Sequence, residues 1–120
     1  SLTSFLATGL DSGTNFSYAW ANCTSLITFP TNVFDNWAPA GGAGTGCFNE
    51  TWDGCTALSA TSVENILNSL ATAAVVAPAS SPDITIDYNA SSGTPSVASA
   101  VATLKGLSPA WTITLNGVAQ

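Results

Sequence analysis

The sequence predicts an α/β fold, a short solenoid whose parallel sheet of about five strands carries helices on one face. Three observations predict it. One phrase is written twice, the apolar spacing inside the phrase changes from helical to strand-like, and the chain then alternates helix, strand, helix and strand.

The phrase "FSYAWANCTSL" (Phe16–Leu26) returns as "FNETWDGCTAL" (Phe48–Leu58), with Phe16, Trp20, Cys23 and Leu26 matching Phe48, Trp52, Cys55 and Leu58 at an offset of 32. A fainter copy precedes both, since "SLTSF" (Ser1–Phe5) matches "SLITF" (Ser25–Phe29) at an offset of 24. The difference of eight residues (32 − 24) fits an insertion in "NWAPAGGAGTG". A repeat of roughly 20–30 residues marks units that bury their apolar faces only against each other.

Within the phrase, Phe16, Trp20 and Cys23 stand at i, i+4 and i+7, one face of a helical turn. "SLITF" then alternates and stops at Pro30, as a short strand would. "ALSA" (Ala57–Ala60) starts the matching strand. Beyond it, "SVENILNSLATA" opens at Ser62 and places Val63, Ile66, Leu67 and Leu70 on one helical face. "DITIDY" (Asp83–Tyr88) alternates as a strand. "TPSVASAVATLKGL" reads as a helix with Pro95 near its start and Gly106 at its stop. "WTITLNG" (Trp111–Gly117) is a final strand ending in Asn-Gly turn chemistry. Residues 1–61 therefore form the repeated units, and residues 62–120 form atypical C-terminal units that cap the same single domain. A chain that opens on "SLTSF" without Met reads as a piece of something longer.

"AWANCTSLITFP" and "TWDGCTAL" resemble the BspA-like leucine-rich repeats, in which an aromatic and a Cys precede Ser/Thr-x-Leu at the strand entry. The likeness covers Ser1 to Leu58, with Trp standing where Phe is commoner and a Gly-rich loop inserted. Related repeats occur in bacterial surface proteins and in phage fibre and virion proteins. The resemblance therefore implies a leucine-rich-repeat-like solenoid that serves structure or surface recognition rather than a particular activity.

Composition narrows the partners. Seven acids, one base (Lys105) and no His leave a net charge of −6, which excludes phosphate neutralisation by a basic surface. The same charge opposes docking on an anionic membrane. The longest apolar run, "ATAAVVAPA", is far short of the roughly 18 residues of a membrane span. Charged residues are only 7% of the chain, so Ser, Thr, Asn and Gly supply the polarity, as suits an extracellular or virion surface.

The reactive side chains read mostly as structure. Cys23 and Cys55 share a repeat position and are expected as buried thiols on neighbouring rungs, with a disulfide between rungs as the alternative. Cys47 and Cys55, if helical, are about 12 Å apart and cannot bridge. Three thiols without His make no zinc site, and a Cys nucleophile has no His partner. The pairs Glu50/Asp53 and Asp83/Asp87 read as solvated acids rather than catalytic carboxylates or cation ligands. Lys105 falls in the last turn of a helix, where it complements the dipole. No cofactor fingerprint is present. Trp20, Trp52 and Trp111 are expected in the core, whereas Trp37 lies in the inserted loop beside Asp35 and Asn36. An exposed Trp37 would serve sugar recognition or a protein contact, and a Trp37 folded back would cover the sheet end. Asn15, Asn22, Asn49 and Asn89 head N-x-S/T acceptor sequences for glycosylation. Leu2 and Phe5 mark the first strand, an assembly edge open to a neighbouring repeat or a second copy. The expected function is a non-enzymatic structural or assembly module of a phage fibre, virion appendage or extracellular surface fibre. The alternative is a carbohydrate- or receptor-binding adhesin module with Trp37, Asp35 and Asn36 as its contact.

Overall fold

A computed structural model describes residues 10–76 and 81–120. Leu2 and Phe5, the expected assembly edge, lie outside the described residues. The chain divides into an irregular first half and a regular second half around one core that runs from Phe16 to Leu115.

The second half contains the four elements expected of it. Helix α1 (Ala60–Ala73) buries Val63, Ile66, Leu67 and Leu70 along one stripe. Its N-cap is Ser59, whose hydroxyl accepts from the Ser62 N–H, so the helix starts two residues before the expected Ser62. It ends at Ala74, held in the left-handed region with φ 49° while its N–H reaches the Leu70 carbonyl. Strand β1 (Asp83–Ile86) buries Ile84 and Ile86. Helix α2 (Ala98–Lys105) packs on α1 through a short face that includes Ala100 and Leu104. Strand β2 (Thr112–Leu115) pairs in parallel with β1, Asp83 opposite Thr112 and Ile86 opposite Leu115. The Asn116-Gly117 turn, with φ 46° and 77°, then returns the chain as β3 (Val118–Ala119), antiparallel to β2.

The sheet corrects the fold expectation. Among the described residues it has three strands in the order β1-β2-β3 and is mixed, not five-stranded and parallel, so the chain is not a leucine-rich-repeat solenoid. The physical reason lies in the first half, where residues 10–59 form neither helix nor strand. Residues 16–23 are a run of turns. The N–H groups of Ala19, Ala21 and Cys23 each reach the carbonyl three residues back. Tyr18 and Asn22 take positive φ (61° and 60°), which ends any helix at each of those positions. The second phrase does the same, with Glu50 and Gly54 at φ 52° and 74°.

The expected strand 25–29 is also absent. Leu26 and Phe29 are buried, but Ile27 between them is 52% exposed, a spacing that does not fit a pleat. Its backbone is satisfied by α1 instead of by a strand. The Ile27 carbonyl accepts from the Ser59 N–H (2.9 Å) and from the Ser62 hydroxyl (2.9 Å). The Phe29 N–H donates to that same hydroxyl (2.9 Å), and the Asn65 amide donates to the Phe29 carbonyl (2.8 Å). "ALSA", the other expected strand start, supplies the cap and first residue of α1.

Candidate functional site

The two copied phrases lie side by side. The N–H groups of Phe16, Tyr18, Trp20 and Asn22 donate to the carbonyls of Cys47, Asn49, Thr51 and Asp53 at 2.7–3.1 Å. Their side chains stack in the same register. The Phe16 and Phe48 rings lie 5.4 Å apart and 12° from parallel, and the Trp20 and Trp52 rings 5.7 Å apart and 12° from parallel. Thr51, fully buried, ties the pair from inside by donating its hydroxyl to the Phe16 carbonyl (2.9 Å). Gly54 is required at its place. A Cβ there would stand 2.5 Å from the Asn22 Oδ1, and its φ is in the left-handed region. The ladder continues into the sheet, because Trp52 bridges Ile86 in parallel and the Asp87 N–H donates to the Trp52 carbonyl. One hydrogen-bonded series therefore runs from residues 16–22 through 47–53 to β1, β2 and β3.

Trp37 closes the end of this aromatic spine rather than facing solvent. It is 2% exposed, with its ring edge-on to Phe16, Phe34, Phe48 and Trp111. Its indole N–H donates to the Gly13 carbonyl (2.7 Å). The reading of Trp37 as an exposed contact is therefore corrected: the insertion is long enough to fold the ring back, and burying it recovers more free energy than exposure would. The companions of Trp37 separate from it. Asn36 is exposed, and Asp35 is half-buried with its Oδ2 accepting from the Asn32 amide (2.6 Å). Trp52 and Trp111 are core, as expected, and Trp20 is half-buried against the core.

Cys23, Cys47 and Cys55 are free thiols. Cys55 is fully buried and donates to the Trp20 carbonyl (3.0 Å), across the same rung that carries the stacked indoles. Burial pushes the Cys47 and Cys55 thiols up to about 11, so neither is a ready nucleophile. Glu50 and Asp53 are exposed. The Glu50 carboxylate raises the Tyr18 phenol by its charge and by accepting its hydrogen bond. Asp83 is exposed, while Asp87 turns to the ladder and accepts the Gly54 N–H (2.8 Å). Lys105 sits in the last turn of α2 and donates to the Gln120 carbonyl. Among the described residues no cluster of three or more His, Cys, Asp or Glu could hold a metal, and no helix is long and apolar enough to cross a membrane.

All four glycosylation acceptors are exposed, in different settings. Asn15 and Asn89 use their carbonyl oxygens to fix local turns at the N–H groups of Ser17 and Ser91. Asn22 faces Gly54 in the ladder, and Asn49 precedes the buried Thr51. The residues that carry no expected role are Thr51 and Asn65, and Ser62 is expected only as a helix start; the side chains of all three replace missing backbone partners. Polar neighbours (Glu50 and Asp53, Thr61, Glu64) surround them in the chain, so nothing in the sequence sets them apart.

No protein-family model, curated protein or solved structure matches the chain.

Proposed function

We propose that the chain is a structural module that assembles side by side with like units in an extracellular or virion fibre, and that it is not an enzyme. The observation that supports this is the continuous ladder from residues 16–22 to β3. The ladder is built by laying one copy of a phrase against another, and the same addition can continue onto a neighbour. Its far edge is the two-residue strand β3, which has no further strand beside it among the described residues and leaves Val118 62% exposed. The net charge of −6 makes copies repel one another, so their association is expected to strengthen as salt screens that charge.

The test is the mass and shape of the full chain in solution across a concentration series, by light scattering and electron microscopy. Concentration-dependent oligomers or fibres that are lost in Val118→Asp or Leu2→Asp support the proposal. A chain that stays monomeric throughout contradicts it.

A further inference from the structure

A second feature stands apart from the ladder. Between the 31–35 turn and the outer side of α1 lies a cleft of about 190 Å³; the described residues that line it are all polar, among them Asp35, Asn32, Thr31, Asn65 and Asn68. Asp35 is its only ionisable group among the described residues. One oxygen of that carboxylate, Oδ2, is fixed by the Asn32 amide (2.6 Å). The other, Oδ1, is shielded from solvent and has no hydrogen-bond donor. A carboxylate oxygen withdrawn from water without a partner is costly, and a positive charge is what offsets it. The chain's single basic side chain, Lys105, is engaged elsewhere at the Gln120 carbonyl.

We propose that this cleft binds a divalent cation of the calcium class, with Asp35 as its charged ligand. The surrounding groups are oxygen donors of the right kind. Asn68 contributes an amide with no other hydrogen bond among the described residues. Asn65 has its amide nitrogen committed to the Phe29 carbonyl, which leaves its oxygen for the cleft. Thr31 adds a hydroxyl at the rim. Carboxylate, amide and hydroxyl oxygens select hard cations, and Ca²⁺ takes a flexible shell of about six to eight of them, water included. The cleft is smaller than the roughly 300 Å³ at which small-molecule pockets begin. Among the described residues no aromatic ring lines it, so a sugar would find no stacking surface there. A cation that keeps part of its water shell fits the space. A single carboxylate sets the affinity in the weak range of extracellular modules, about 10⁻⁴–10⁻³ M. The proposal is independent of the assembly reading.

The test is calorimetric titration of the full chain with CaCl₂, backed by aromatic-sensitised terbium luminescence with Ca²⁺ competition. One saturable site in that range is expected, weakened about tenfold or more in Asp35→Asn and about threefold in Asn68→Ala. Asp53→Asn, in an exposed acid of the ladder, is expected to bind as the parent does. Melting curves without metal establish that each variant is folded. No saturable binding up to about 10 mM, or unchanged affinity in Asp35→Asn, overturns the proposal. Should Asp35→Asn fail to fold, unchanged affinity in Asn68→Ala overturns it.

Discussion

The two halves of this chain reach the same core by different means. Residues 60–120 use regular elements, with α1, α2 and a three-stranded sheet supplying the backbone hydrogen bonds. Residues 10–59 have no such element and depend on repetition instead. Two copies of one phrase pair their turns, stack Phe16 on Phe48 and Trp20 on Trp52, and fill remaining gaps with side-chain hydroxyls. Backbone satisfaction does not require helix or sheet. A repeated irregular conformation serves, because identical turns present N–H groups and carbonyls at matching heights.

That comparison is broken most severely at the aromatic spine. Trp52 is fully buried and touches the rings of Trp20, Phe29, Phe34 and Phe48. Trp52→Ala is expected to cost about 3–5 kcal/mol by denaturant unfolding. Trp52→Phe should cost clearly less, because the indole N–H it removes is buried without a partner. Next comes Gly54→Ala, expected to cost about 2–4 kcal/mol from left-handed strain and the clash with Asn22. Adding Asn22→Gly removes the clash but not the strain and should recover only part of the loss.

At the seam between the halves, Ser62→Ala deletes the acceptor of the Phe29 N–H and a donor to the Ile27 carbonyl. A loss of about 1–3 kcal/mol is expected, seen as a lower denaturant midpoint. The smallest effect lies in the regular half and has the opposite sign. Ala74 caps α1 at φ 49°, so Ala74→Gly should stabilise by about 0.5–1 kcal/mol, a rise of a few degrees in the melting temperature.

The regular half was legible because its periods are ordinary. Val63, Ile66, Leu67 and Leu70 mark a helix, and the alternating "DITI" and "TITL" mark strands. The copied phrase was legible as a pairing but not as a conformation. Its left-handed residues recur every four positions, Tyr18 then Asn22 and Glu50 then Gly54, so Phe16 and Trp20 share a face at i and i+4 as they would on a helix. Spacing alone cannot separate the two. Asn22 and Gly54 are residue types that favour positive φ, but Tyr18 and Glu50 are not, and they hid the pattern. Trp37 was read from its Gly-rich surroundings, although Val33 and Phe34 just before it carry an apolar face into the core. The cleft at Asp35 left no trace in spacing, because Asn65 and Asn68 reach it from a helix some thirty residues away.

The central claim is that the two phrases are hydrogen-bonded to each other in register. Scalar couplings measured by NMR across hydrogen bonds identify donor and acceptor together. Couplings from the amide nitrogens of Phe16, Tyr18, Trp20 and Asn22 to the carbonyl carbons of Cys47, Asn49, Thr51 and Asp53 are the predicted result. Couplings from those four amides to carbonyls four residues back, the mark of a helix, would contradict it.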